Sequence, residues 1–226
     1  MSIAEKLTTI AENEQKVYDA GKQAEYDAFW DTYQQNGEPR SYRWSFSSIC
    51  WVDGIFKPKH NIVVTDAYMM FRGTKITNLN PTGITYDFSD CKDFSYAFAY
   101  STALTEIPFV IDLSSATNMT NAFSEGKFTD LHIRSSNTTT YASSTFSSLY
   151  ALVNFQVDGT IGKNNFRISW SSNLTHDSLM SVINALEDKT ADTSGTAWIV
   201  TIGSTNLAKL TAEEITIAEQ KGWQLV

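Results

Sequence analysis

Four phenylalanines, Phe71, Phe98, Phe123 and Phe146, follow one another at steps of 27, 25 and 23 residues, and each brings the same local pattern with it. Two apolar residues three apart come after every anchor: Ile76 and Leu79 in "FRGTKITNL", Leu104 and Ile107 in "FAYSTALTEI", Phe128 and Leu131 in "FSEGKFTDL", Leu152 and Phe155 in "FSSLYALVNF". Polar lead-ins precede the anchors, "FSDCKDFSYAF", "LSSATNMTNAF" and "SSNTTTYASSTF", with "NIVVTDAYMMF" the most diverged. A unit of this size cannot bury its apolar side alone and has to stack on copies of itself. The pattern predicts an internal ladder of the phenylalanines and a second ladder of the apolar pairs. Ser, Thr and Asn between them turn the chain at the corners by hydrogen bonds from side chain to backbone.

Steps of this length fall in the range of leucine-rich repeats, in which each unit is one strand plus a return segment. The expected fold class is α/β, a leucine-rich-repeat-like solenoid with an N-terminal helix and a mixed helix and strand C-terminal cap. The expected organisation is an N-terminal helix over 1–37, an N-terminal cap over 38–65, the solenoid over 66–170 and the C-terminal cap over 171–226. The competing reading is an antiparallel sandwich whose strands are similar by accident.

"DLSSATNMTNAFSEGKFTDLHI" and "FSDCKDFSYAFAYSTALTEIP" resemble the degenerate leucine-rich repeats of BspA-like bacterial surface proteins, which run through a Ser-rich "TNMS" segment, an aromatic-Phe step and a Leu-rich strand. The resemblance covers roughly residues 60–170. Ser101 and Gly126 depart from it, standing where that family often has cysteine. The ending "TIGSTNLAKLTAEEITIAEQKGWQLV" and the opening "IAEKLTTIAENEQKVYDAGKQAEYDAFWDTYQQNG" are similar to the terminal segments of repeat proteins encoded among tail and baseplate genes of phages and prophages of Firmicutes.

Residues 1–36 read as a helix, with Ile3, Leu7, Ile10, Val17, Ala24 and Ala28 on a 4-then-3 spacing that Glu14 and Gly21 interrupt. Read as heptads, Leu7 is at a and Ile3 and Ile10 are at d, which favours three or four strands over two. So narrow a seam is marginal in water until something covers it. The expectation is a homo-oligomer, a trimer among the options, held through Ile3, Leu7, Ile10 and Val17. Tyr26, Phe29, Trp30 and Tyr33 form an aromatic stripe that ends at "QQNGEPR", where Gly37 and Pro39 stop the helix.

At the other end, Thr211 is an N-cap with Glu214 three residues on, Leu210 and Ile215 are placed as a hydrophobic staple, and Gly222 is a stop signal. "THDSLMSVINALEDK" reads as a helix with Leu179, Val182, Ile183 and Leu186 on one face, "AWIVTI" as a buried strand, and "WQLV" as a final short strand.

Acidic residues outnumber basic ones, the formal net charge is -8, and the basic residues are scattered, so no footprint for nucleic acid is present. No apolar run approaches the ~20 residues of a membrane span, and acids occupy the N-terminus where a signal peptide would be apolar. The expected route is synthesis in the cytoplasm without an export signal, and then the virion, or the exterior after lysis. Cys50 and Cys91 are too few for a disulfide framework or a zinc site and read as buried thiols.

No catalytic residue, cofactor or metal site is expected. His60, His132 and His176 lack metal-ligand spacing. Cys50 with His60 lacks a third, orienting group, and "GTIGKNNF" lacks the order of a phosphate loop. Glu106, Asp112 and Asp130 recur near corners, where they either act as an acid pair of a glycosidase or are solvated turns. What remains is surface: Tyr100, Tyr141, Tyr150 and Trp170 are candidate ligand-binding residues if they point outward, since such rings bind sugars and peptides by stacking and hydrogen bonding. The resemblance implies a non-enzymatic phage or prophage tail or baseplate protein that acts on a protein or a cell-surface glycan through its repeat surface. The alternatives are a BspA-type adhesion protein of the cell itself and a carbohydrate-active enzyme.

Overall fold

A computed structural model of the protein describes residues 38–47, 60–79 and 83–226, with Glu12, Asn13, Ala24 and Pro58. Ile3, Leu7, Ile10 and Val17, the aromatic stripe from Tyr26 to Tyr33, and Cys50 lie outside the described residues.

The described strands are short and make three sheets of three: β1 (Pro39–Ser41), β2 (Ile62–Asp66) and β3 (Tyr86–Asp87); β4 (Ile111–Asp112), β5 (Asp130–Ser135) and β6 (Asn154–Gly159); β7 (Phe166–Arg167), β8 (Trp198–Thr201) and β9 (Trp223–Leu225). Every neighbouring pair of these strands is parallel, so they do not form an antiparallel sandwich. Register follows the repeat: Ile62 faces Tyr86, Ile111 faces Ile133, and Leu131 faces Phe155. Alternation then decides the faces. In β5, Leu131, Ile133 and Ser135 point inward and His132 and Arg134 outward; in β6, Phe155 and Val157 are buried and Asn154 and Gln156 exposed.

Parallel neighbours need a return segment between them. Here it is built from turns. Phe46, Phe71, Phe98, Phe123, Phe146 and Phe166 stand in one column, with consecutive ring centroids 5.1, 5.2, 5.6, 5.5 and 5.5 Å apart, and all six are buried. The four anchors of the sequence register are the middle of this column; Phe46 and Phe166 extend it at both ends. The second members of the pattern, Ile76 and Leu79 through Leu152 and Phe155, are buried beside it in a single apolar cluster from Tyr42 to Leu225.

Around each of these phenylalanines except Phe166, which lies in β7, the backbone makes β-turns. In residues 67–74, Met70, Arg72 and Thr74 donate N–H back to Ala67, Met69 and Phe71, while Ala67, Met69, Phe71 and Gly73 donate to Asp93, Ser95, Ala97 and Ala99 on the next pass of the chain. In the passes of Phe71, Phe98 and Phe123 two residues take the left-handed conformation, Met69, Tyr96 and Asn121 two before the phenylalanine and Gly73, Tyr100 and Glu125 two after it; Trp44 and Ser148 do so once each beside Phe46 and Phe146. All but Gly73 carry a side chain that disfavours positive φ by ~1–2 kcal/mol, and the lateral hydrogen bonds hold them there. At Gly126, by contrast, a Cβ would stand 2.1 Å from the buried Phe128 ring, so no side chain fits.

The polar residues do more than turn corners. Asp66, Asp87, Asp93, Asp112 and Asn118 accept the N–H two residues on, closing local turns. Three buried hydroxyls bond between passes instead: Ser101 donates to Phe71 O at 2.7 Å, Thr139 to Leu113 O at 2.9 Å and Thr145 to Met119 O at 3.0 Å.

The C-terminal part contains α1 (His176–Ala185), α2 (Ser204–Leu207) and α3 (Ala212–Gln220). Thr175 caps α1, which buries Leu179, Val182 and Ile183. It lies along β6 as a further strand would, and Ser178 and Ser181 accept the N–H groups of Phe155 and Val157 at 2.8 and 2.9 Å. This covers an edge that would otherwise be open to pairing. α3 carries the full capping box of Thr211 and Glu214, with Leu210 and Ile215 packed on the core and Gly222 at φ +80° beyond Lys221. His176 bonds Glu214 at 2.7 Å, tying the start of α1 to the start of α3.

Candidate functional site

The turn segments of successive passes stack on one another through backbone hydrogen bonds and so form an edge of the body. Among the described residues the exposed large hydrophobics are Trp44 (51%), Tyr100 (39%), Tyr150 (56%), Trp170 (41%) and Val226. The four aromatics all lie within four residues of a column phenylalanine: Trp44, Tyr100 and Tyr150 stand in the turns, and Trp170 in the turn that follows strand β7. Tyr150 and Trp170 occupy equivalent places on successive passes, four residues after Phe146 and Phe166, and meet edge to face at 6.3 Å. Asn173 donates to Tyr150 O at 3.0 Å and fixes that turn.

Arginines accompany the rings. Arg72 lies over Tyr100 with 5.1 Å to the ring centre, Arg167 over Trp170 with 5.8 Å, and Arg43 over Tyr68 with 4.2 Å. Such contacts stiffen an exposed aromatic without covering both of its faces. Arg43 is also held by Asp66 at 2.8 Å, and that bond raises its affinity for the proton further. Sequence reasoning missed the arginines, although Arg72 and Arg167 each follow directly on a column phenylalanine in the dipeptide "FR".

Of the four aromatics expected to bind ligand, Tyr100, Tyr150 and Trp170 are exposed and Tyr141 is not. Tyr141 is 3% exposed, packs edge to face on Phe166 at 4.9 Å and donates its hydroxyl to Ser135 at 2.8 Å. Burial pushes its phenol well above the ordinary range. Tyr141 belongs to the core, because the ring fills the space beside the column where it ends at Phe166.

A recess of about 600 Å³ opens between the outer face of β5 and β6 and helix α1, lined among others by Asp130, His132, Asn154, Gln156, Met180 and Asn184. Its polar groups largely satisfy one another. Asn154 donates to Asp130 at 2.7 Å, Thr129 donates to the same carboxylate at 2.7 Å, and His132 lies 3.0 Å from Asp158 without hydrogen-bond alignment. Asp112 pairs with Arg134 at 3.3 Å, while the backbones of Glu106 and Asp130 form an isolated parallel β-bridge.

Asp87, Asp158, Asp188, Asp192 and Glu214 are all displaced below the ordinary carboxylate range. The leading causes are hydrogen bonds from Ser89, Thr190, Ser194 and Thr211 for Asp87, Asp188, Asp192 and Glu214, and the close approach of His132 for Asp158. A general acid needs displacement the other way. Cys91 is buried, and burial pushes its thiol up to about 12, which leaves it unreactive. Among the described residues no group of three or more His, Cys, Asp or Glu side chains could hold a metal ion, and no helix is long and apolar enough to cross a membrane.

No family model, curated protein or solved structure matches this chain.

Proposed function

We propose that the body is a leucine-rich-repeat-like solenoid whose tandem-turn edge is a recognition surface. The protein is then a non-enzymatic, BspA-like tail or baseplate component of a phage or prophage, which meets the bacterial surface along this edge and is carried there as a homo-oligomer. The observation that carries the reading is that Trp44, Tyr100, Tyr150 and Trp170, the large exposed aromatics among the described residues, all lie in turns within four residues of the buried phenylalanine column, while polar groups on the outer strand face pair with one another. Exposed rings on a rigid frame bind with little loss of conformational entropy.

The test is binding of the purified protein to cell walls of Gram-positive bacteria, measured by co-sedimentation. Saturable binding is expected, with a loss of at least about thirtyfold in Tyr150→Ala/Trp170→Ala, taking for each ring the ~1–3 kcal/mol that a base stacked on an aromatic side chain contributes. Undiminished binding of the double variant, at an unchanged melting temperature, removes the edge from this role. Tail, baseplate or holin genes beside this one would separate the virion reading from an adhesion protein of the cell.

A further inference from the structure

The same edge carries a charge pattern that narrows the ligand; the inference rests on reading this edge as the recognition surface. The chain as a whole has a formal charge of -8. Yet in the four residues that follow each column phenylalanine, the charged residues are Arg72, Lys75, Glu125, Lys127 and Arg167, four basic and one acidic; Glu106 and Asp130 come further along, towards the strands.

None of these four cations has a carboxylate within ion-pair distance among the described residues, whereas Arg40, Arg43 and Arg134 each do. Arg72 rests on Tyr100 with its Nε buried and unbonded, and Arg167 rests on Trp170 with only a Ser169 hydroxyl at Nε, 3.1 Å away. A guanidinium stays charged at every physiological pH and presents a fork of donors suited to carboxylate or phosphate. Here two such forks are left with donors free beside the exposed rings.

The phenylalanine column fixes the spacing. From the pass of Phe71 to that of Phe166 there are four inter-strand steps, roughly 20 Å. Rings and cations alternate over that length: Arg72 with Tyr100 at one end, Lys127 between, Tyr150 and Trp170 with Arg167 at the other. We propose that this edge binds an acidic polysaccharide, an extended chain whose sugar rings stack on Tyr100, Tyr150 and Trp170 and whose carboxylate or phosphate groups accept hydrogen bonds from Arg72, Lys75, Lys127 and Arg167. Nucleic acid fits less well, because a duplex of that length carries about twelve charges against four cations, and Glu125 interrupts the row.

The experiment compares three probes on one backbone, dextran, carboxymethyl-dextran and dextran phosphate, with an oligothymidylate as a fourth, by isothermal titration at low ionic strength. One charged dextran binds at least about tenfold tighter than plain dextran, and which of the two it is identifies the anionic group. Raising the salt weakens that binding, since exposed charges are screened within about 10 Å at 0.1 M. Lys75→Gln/Lys127→Gln lowers affinity for the charged dextran about tenfold more than that for dextran, while Glu125→Gln raises affinity for the charged dextran a few-fold. Equal affinity for all three dextrans, or no response to either set of charge variants, overturns the inference, as does tighter binding of the oligothymidylate. If Tyr150→Ala/Trp170→Ala abolishes wall binding while no dextran binds, the recognition edge stands and the acidic ligand falls.

Discussion

Glu125 sits at φ +58° with its side chain exposed, so at that position the backbone conformation is unfavourable and no buried contact compensates through the side chain. Glycine takes this conformation freely but is more flexible unfolded. Glu125→Gly is expected to raise stability by about 0.5–1 kcal/mol, read from urea denaturation, and Glu125→Val to lower it. Phe123 tests the column: it is fully buried and stacks on Phe98 on one side and Phe146 on the other. Phe123→Ala should cost ~3–5 kcal/mol by the same measurement, and a loss under 1 kcal/mol would mean that the column closes up around the gap. The register of Phe71, Phe98, Phe123 and Phe146 was legible because a ring that meets its own copy on every pass must recur. The left-handed positions were not legible, since Met69, Tyr96, Tyr100 and Glu125 are residue types that normally avoid positive φ. Only the lateral hydrogen bonds impose it.

At the scale of elements, α3 is the one most fully written in local sequence. Thr211 and Glu214 bond each other's backbone reciprocally and Gly222 ends the helix, which neighbouring residues alone can specify. Thr211→Ala should cost about 1 kcal/mol. The pH dependence follows from Glu214, whose carboxyl is lowered by the Thr211 N–H first and then by His176. A lowered folded-state value gives stability that is complete above the unfolded value of about 4.3 and lost as pH falls through the folded one. The melting temperatures of the wild type and Glu214→Ala should therefore differ at pH 6 and converge below pH 4; a constant gap would show that the carboxylate charge is not what holds the cap. Helix α1 was equally legible as an amphipathic segment. Its placement was not: Ser178 and Ser181 look like ordinary exposed-face residues, and only the folded chain sets them against Phe155 N and Val157 N as a cover for β6. Lys221 was likewise opaque, although it donates to Ile183 O and Asn184 O at the end of α1, where a cation is favoured by the helix dipole.

For the whole molecule, the expected homo-oligomer is checked by light scattering on the full chain and on a chain lacking residues 1–17. The full chain should have three or four times the monomer mass and the truncated one the monomer mass; a monomeric full chain removes Ile3, Leu7, Ile10 and Val17 from that role. The sequence by itself determined the spacing of the buried rings, the apolar pairs after them and the capped C-terminal helix, because periodic burial and capping depend on residues close along the chain. Only the tertiary structure decided that Tyr141 turns inward, that Phe46 and Phe166 complete the column, and that Arg72 and Arg167 lie beside exposed rings. Those outcomes depend on which side chain the next pass of the chain brings alongside, roughly 20 to 27 residues away, and local pattern carries no record of that neighbour.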